Sequence, residues 1–258
     1  EEIPPPQSIR PSDPTFLWDL AALTAAASQQ AIELTRAGSL PKRAAQRLLP
    51  SLASDRTHRR EVDALEYVEM LKQEAVELGI ISAPPSTSRH RETLTTGDRI
   101  NSWSLHDSVM QARRLFKRWP GDRWWIDLPG ADYEEWHTFY LELPLARKAV
   151  AEQLLKCQPG VWYSLHSFRA TIQGADPYVL RPSQRCAGEA GFKLAEELRA
   201  HWDKTDGQII TGMFRYTLFE LGFVALGYER EAPPTAREKV NPDSFMLTQL
   251  GYEALHGE

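Results

Sequence analysis

The chain repeats itself. Glu77-Leu78-Gly79-Ile80-Ile81 recurs as Glu220-Leu221-Gly222-Phe223-Val224, Ser39-Leu40 with Arg43-Ala44 recurs as Ser164-Leu165 with Arg169-Ala170, and Leu94-Thr95 recurs as Leu247-Thr248. The three recurrences keep the same order. Self-similarity of this kind constrains the fold more than any local signal, because it implies that one supersecondary unit is used twice. The first copy runs over 39–95 and the second over 164–248, so the second carries 28 extra residues. Eighteen precede its Glu-Leu-Gly and ten follow it.

Local patterns fill in the unit. Residues 15–28 read as a helix and 31–35 as a short strand. Ser39 is a plausible N-cap with Pro41 in the first turn of a helix that Pro50 stops. Val62, Leu65, Val68, Leu71, Ala75 and Leu78 recur every three or four residues, which predicts an amphipathic helix ended by Gly79. Ile80-Ile81 opens a strand, 84–92 is a polar loop, and 93–95 returns as a strand. In the second copy Ile210, Phe214, Leu218 and Leu221 give the helix, 223–227 the strand, 229–243 an exposed loop, 245–248 the return and 249–256 a closing helix. Between the copies, 104–119 reads as a helix, followed by an aromatic stretch over 119–140 that is expected to pack between the two units rather than to stack on bases. Helix, helix, strand, loop, strand is the order of a winged helix-turn-helix.

The fold expectation is therefore a mainly α protein with two winged helix-turn-helix domains, each with a small β-wing, at 15–100 and 144–258. A helical, aromatic-rich connector spans 101–143. Residues 1–14, with Pro4, Pro5, Pro6, Pro11 and Pro14, are expected to form an extended linker. The insertion over 173–207 receives no role.

Composition enters where function classes are excluded. With 42% hydrophobic and 25% charged residues the chain is an ordinary globular protein. Its apolar runs are too short to cross a membrane, as 211–224 is broken by Arg215 and Glu220. Cys157 and Cys186 cannot make a disulfide framework or a four-cysteine metal site, and no signal peptide opens the chain, so a reducing cytoplasmic setting is expected. The absence of an initiator Met fits a processed product or a segment of a longer protein.

Charge is unevenly spread beneath a net −5. Residues 1–118 carry 16 basic and 15 acidic side chains, and 119–258 carry 14 and 20. Within 36–60 seven basic residues face Asp55 alone. Such a patch on a mildly acidic protein points to a polyanion partner. Arg36, Lys42, Arg43, Arg47, Arg59 and Arg60, with Arg89 and Arg91 of the 84–92 loop, are the candidate DNA contacts, to the phosphate backbone. The alternative is a solvated helix face.

Nothing at recognisable spacing carries catalysis. No glycine cluster precedes Lys-Ser or Lys-Thr, the seven histidines stand singly, and Cys157 with His166 lacks a third orienting residue. Carboxylates such as Asp132, Glu134, Glu135, Glu196 and Glu197 show no spacing that singles out a pair. The expectation is a protein with no enzyme activity, no cofactor and no metal.

Residues 34–43 (Leu34-Thr35-Arg36-Ala37-Gly38-Ser39-Leu40-Pro41-Lys42-Arg43), the Glu77-Leu78-Gly79-Ile80 helix end, 157–165 (Cys157-Gln158-Pro159-Gly160-Val161-Trp162-Tyr163-Ser164-Leu165) and 245–251 (Phe245-Met246-Leu247-Thr248-Gln249-Leu250-Gly251) resemble the tandem winged-helix region of bacterial XPB-type helicase-associated proteins. The resemblance loosely covers 30–256. It implies DNA-associated or docking work within a larger helicase-linked or phage-defence assembly, and it brings no active-site residues. The chain departs from the family in lacking a helicase core and in the longer second copy. A protein-interaction subunit that touches no nucleic acid is the competing expectation, motivated by the acidic 119–258 half.

Overall fold

The computed structural model describes residues 1–58, 61–83, 92–127, 142–182, 201–235, 238 and 240–257. In chain order the elements are β1 (Ser8–Arg10), α1 (Thr15–Gln29), β2 (Ile32–Glu33), α2 (Lys42–Leu48), α3 (Glu61–Glu77), β3 (Ile81–Ser82), β4 (Thr93–Thr96), α4 (Ile100–Ser104) and α5 (Ser108–Arg118). There follow α6 (Leu143–Leu154), β5 (Trp162–Ser164), α7 (Leu165–Ala175), α8 (Asp206–Gly212), β6 (Val224–Tyr228), β7 (Ser244–Leu247) and α9 (Gln249–His256). A π-helical stretch, Met213–Leu218, continues α8. The described residues are mainly helical with two small antiparallel sheets, ordered β2-β4-β3 and β1-β6-β7-β5. None of the described helices is long and apolar enough to cross a membrane.

The repeated Glu-Leu-Gly has a physical cause. Gly79 and Gly222 hold φ of +72° and +79°, a conformation that costs a side-chain-bearing residue about 1–2 kcal/mol. In each case two backbone bonds close the helix. Gly79 N–H donates to Val76 and Ile80 N–H to Ala75, while Gly222 N–H donates to Phe219 and Phe223 N–H to Leu218, at 2.8–3.1 Å. This is the paired closure that satisfies the last carbonyls of a helix. The chain then turns directly into β3 or β6.

Among the described residues both halves run helix, strand, helix, helix, strand, strand, with the third strand lying between the first and the second. The backbone register corrects the sequence alignment of the repeats. Ile81 pairs with Thr96 and Val224 with Leu247, so Leu94 matches Phe245 rather than Leu247. Ser164 caps α7, its Oγ accepting from the Ser167 N–H at 3.2 Å. Ser39 caps nothing: Pro41 stands at the start of α2, with no side-chain cap. The helix expected over 104–119 starts only at Ser108, because Ser104 closes the preceding α4 and Asp107 caps α5 through the Met110 N–H. Val62, expected on the buried stripe of α3, is 54% exposed, and Tyr67 and Met70 are buried instead.

Residues 1–14 are extended, as expected, but they are not a linker clear of the fold. Ser8–Arg10 adds β1 to the edge of β6, and Glu2 bridges Tyr163 at the far edge of β5. Between these contacts the chain crosses the sheet face at Gly227, where a Cβ would come within 2.4 Å of Pro6 Cγ. Prolines cannot donate to a ladder, so Pro4 to Pro6 suit the crossing while their neighbours cover both exposed edges. The first residues of the chain thus belong physically to its second half.

One continuous apolar core runs through both halves. The segment 119–127 sits at the junction. Trp125 packs on Phe16 with ring centroids 4.7 Å apart, and its Nε1–H donates to Thr217 Oγ1 at 2.8 Å. Trp119 donates to Asp127, which also accepts from Arg147 at 2.7 Å. For these two indoles the expected packing role holds. Trp124, in the same segment, is 39% exposed and does not take that role, and 128–140 lie outside the described residues.

Candidate nucleic-acid interface

The basic stretch divides into an exposed part and a buried part. Ala44, Ala45 and Leu48 turn inward on α2, which leaves Lys42, Arg43 and Arg47 exposed. Arg36 is exposed in the turn before it, where Gly38 at φ +76° lets the chain reverse. Arg59, Arg60, Arg89 and Arg91 lie outside the described residues. Arg56, counted in the basic patch on sequence grounds, is 2% exposed and contributes nothing to that surface. Its Nε donates to Glu220 Oε1 at 2.8 Å, and its Nη1 donates to the Ile126 carbonyl at 2.7 Å. A buried guanidinium must be paired, and the partner lies 164 residues away.

Beside α2 the surface is concave. A groove of about 510 Å³ opens between the end of α1, β2 and α2, walled by Ala26, Gln29, Ile32, Glu33, Arg43 and Arg47. Arg43 and Arg47 are one helical turn apart and line the same wall. The outer face of α1 leading into this groove carries no charge. The exposed or half-exposed residues of α1 are Thr15, Trp18, Ala21, Ala22, Ala25, Ala26, Ser28 and Gln29, and the helix's single charged residue, Asp19, is buried.

The helices that precede Glu-Leu-Gly are unsuited to entering a DNA groove. On α3 the outward positions include Glu66, Glu69 and Glu77, and Lys72 is buried with its ammonium bound to Glu69 and to the Gly38 carbonyl. Every residue of Ile209–Glu220 is buried. Base reading by either helix would need phosphate to approach carboxylates, or a core helix to come out of its core.

The buried charges form a centre that the sequence did not reveal. Glu220 Oε1 also accepts from Ser54 Oγ at 2.8 Å. Asp19 accepts from the Ser54 N–H at 3.1 Å and from Tyr67 Oη at 2.6 Å. Burial pushes the Glu220 carboxyl upward, against the pull of Arg56. Burial likewise raises Asp19 and holds the Tyr67 hydroxyl well above its usual range. A second centre lies nearby: Glu74, fully buried, is pushed up to about 9 by burial and by the neighbouring Asp122 carboxylate, with Arg118 opposing. Paired charges on elements far apart in sequence leave no local spacing to detect.

Both centres are buried and join elements distant in sequence. Cys157 is buried, and burial raises its thiol to about 11, so it is not poised as a nucleophile toward the exposed His166. Among the described residues no group of three His, Cys, Asp or Glu side chains could hold a metal ion. Cys186, Asp132, Glu134, Glu135, Glu196 and Glu197 lie outside them. Comparison of the chain with protein-family models, curated proteins and solved structures gave no match.

Proposed function

We propose that the chain is a non-catalytic docking module of a larger DNA-processing assembly, helicase-linked or belonging to phage defence, in a cytoplasmic setting. It is built of two winged-helix units over 15–100 and 144–258, tied by the connector over 101–143. The reading of the units is supported by the connectivity, helix, strand, helix, helix, strand, strand with the last strand in the middle, which occurs twice. The DNA reading is carried by one observation: Arg36, Lys42, Arg43 and Arg47 are exposed together on α2 and its preceding turn. Carboxylates on α3 and the burial of α8 favour contact with the backbone over reading of bases.

Backbone contact releases counterions, so affinity falls steeply with salt and varies little with sequence. Replacing Lys42, Arg43 and Arg47 together by Ala removes up to three phosphate contacts and flattens the log–log salt slope by roughly 2 to 3. An anisotropy titration at several salt concentrations reads both effects. Unchanged affinity and slope in the triple variant would refute the assignment.

A second reading, a protein-docking subunit that touches no nucleic acid, is favoured by the outer face of α3, where exposed Val62 stands among Glu66, Glu69 and Glu77. Failure of any DNA to bind at low salt is the outcome that selects it.

A further inference from the structure

We propose that the groove between α1 and α2 takes a single strand of DNA, with Trp18 as a stacking platform for its bases and Arg43 and Arg47 as its phosphate contacts. This rests on the DNA reading and narrows it to one class of substrate.

The geometry of α1 carries the inference. Trp18, Ala22, Ala25 and Gln29 lie on one face, since 3.6 residues make a turn. Trp18 is 49% exposed, unusual for so large an apolar ring, and it stands on the same face as the residues that wall the groove. From Trp18 to Ala26 the helix rises about 12 Å, which is about four nucleotides at the roughly 3.4 Å spacing of a strand. Between the two points the surface is alanine, so neither charge nor bulk keeps a strand away. A cationic track beside an exposed aromatic is the arrangement that holds single strands with little regard to sequence, because every base has a face to stack.

Charge argues against a duplex at the same place. A duplex on α2 presents phosphates of two strands across a broad front, and α3, packed against α2, carries the exposed Glu66, whereas its Glu69 and Glu77 are taken up by Lys72 and Arg118. A single strand needs only the track between α1 and α2, where Glu33 is the one acid in the wall.

The test uses the whole chain, a labelled oligo-dT and a labelled duplex of equal length at one salt concentration. The oligo-dT is expected to bind more tightly than the duplex. Trp18→Ala should weaken oligo-dT binding about 5- to 150-fold, the range for loss of one stacked base, while Trp18→Phe loses less. Trp18 is half out of the fold, so both variants should keep the wild-type circular dichroism and melting temperature. Binding of oligo-dT should also quench tryptophan fluorescence, and the quench should shrink in Trp18→Phe. Equal or tighter duplex binding, or oligo-dT affinity indifferent to Trp18, overturns the single-strand inference and leaves backbone docking standing. Absence of binding by either probe overturns both.

Discussion

The same five-residue signal ends a helix in each half, yet its glutamate meets opposite fates. Glu77 is 47% exposed on its side chain and lies 3.6 Å from Arg118, a surface ion pair of the kind worth about 0–1 kcal/mol. Glu220 is 3% exposed and locked onto Arg56 of the other half. Three residues earlier the comparison repeats. Glu74 reaches the connector at Asp122 and Arg118, and Thr217 reaches it at Asp127 and Trp125. One motif therefore supplies the helix end, and neighbouring elements decide whether its polar side chains face water, the connector or the other unit. The first unit keeps an open flank at α1 and α2. The second is wrapped by the arm on its sheet and has its central helix buried.

The sharpest way to break the comparison is to remove one partner of the buried pair. Arg56→Ala or Glu220→Ala leaves an uncompensated buried charge and should cost about 3–5 kcal/mol in denaturant unfolding. Glu77→Ala should cost no more than about 1 kcal/mol. Replacing both Arg56 and Glu220 by Met should recover most of the loss, since paired buried charges are often no better than well-packed apolar groups. Equal costs for Glu77→Ala and Glu220→Ala would show that the two glutamates are not in different environments.

The glycines give a smaller split. Ala at either position should cost about 1–2 kcal/mol for the left-handed backbone alone. At Gly79 the added Cβ meets only the flexible side chain of Arg99, at 3.1 Å. At Gly222 it meets Pro14 Cβ and backbone nitrogen at 3.2 Å and Leu250 at 3.1 Å, and Pro14 cannot swing away. Gly222→Ala should therefore be the more destabilising of the two in thermal unfolding. The reverse order would mean that the N-terminal arm yields easily.

What could be read in advance follows the range of the force involved. The α3 period, the Glu-Leu-Gly closure and the 249–256 helix rest on bonds within a turn or two of chain, and all were legible. The exposed Lys42, Arg43 and Arg47 followed from inward Ala44, Ala45 and Leu48. Proline density reports backbone stiffness and not what the stiff segment lies against, so the docking of the arm on the sheet leaves no mark in it. A charge count assigns every arginine to the surface, and it cannot show that Arg56 is paired with Glu220 across the two halves. The α1 face was open to the same helical-spacing argument used for α3, since Trp18 and four alanines share it, but the signal there is the absence of charge, which is easily passed over.

A single-atom change on α3 gives the smallest effect at acidic pH and a growing one above it. With its folded value near 9, Glu74 holds its proton in the native state through a range where the unfolded chain, at about 4.3, has released it. Between those two values the folded state binds more protons, so the group's contribution to stability declines as pH rises. Glu74→Gln keeps the shape and cannot ionise. Wild type and variant should melt at similar temperatures near pH 4.5, and the variant should hold a widening advantage toward pH 9, where the divergence levels off. Thr217, its counterpart in the second unit, is neutral at every pH. Thr217→Val strips Trp125 Nε1–H of its acceptor and the Asp127 carboxylate of a donor, and should lower stability by an amount that stays level from neutral pH to pH 9. Parallel pH curves for wild type and Glu74→Gln would show that Asp122 and Arg118 leave Glu74 ionised, and the contrast between a titrating contact in one unit and a fixed one in the other would fall with it.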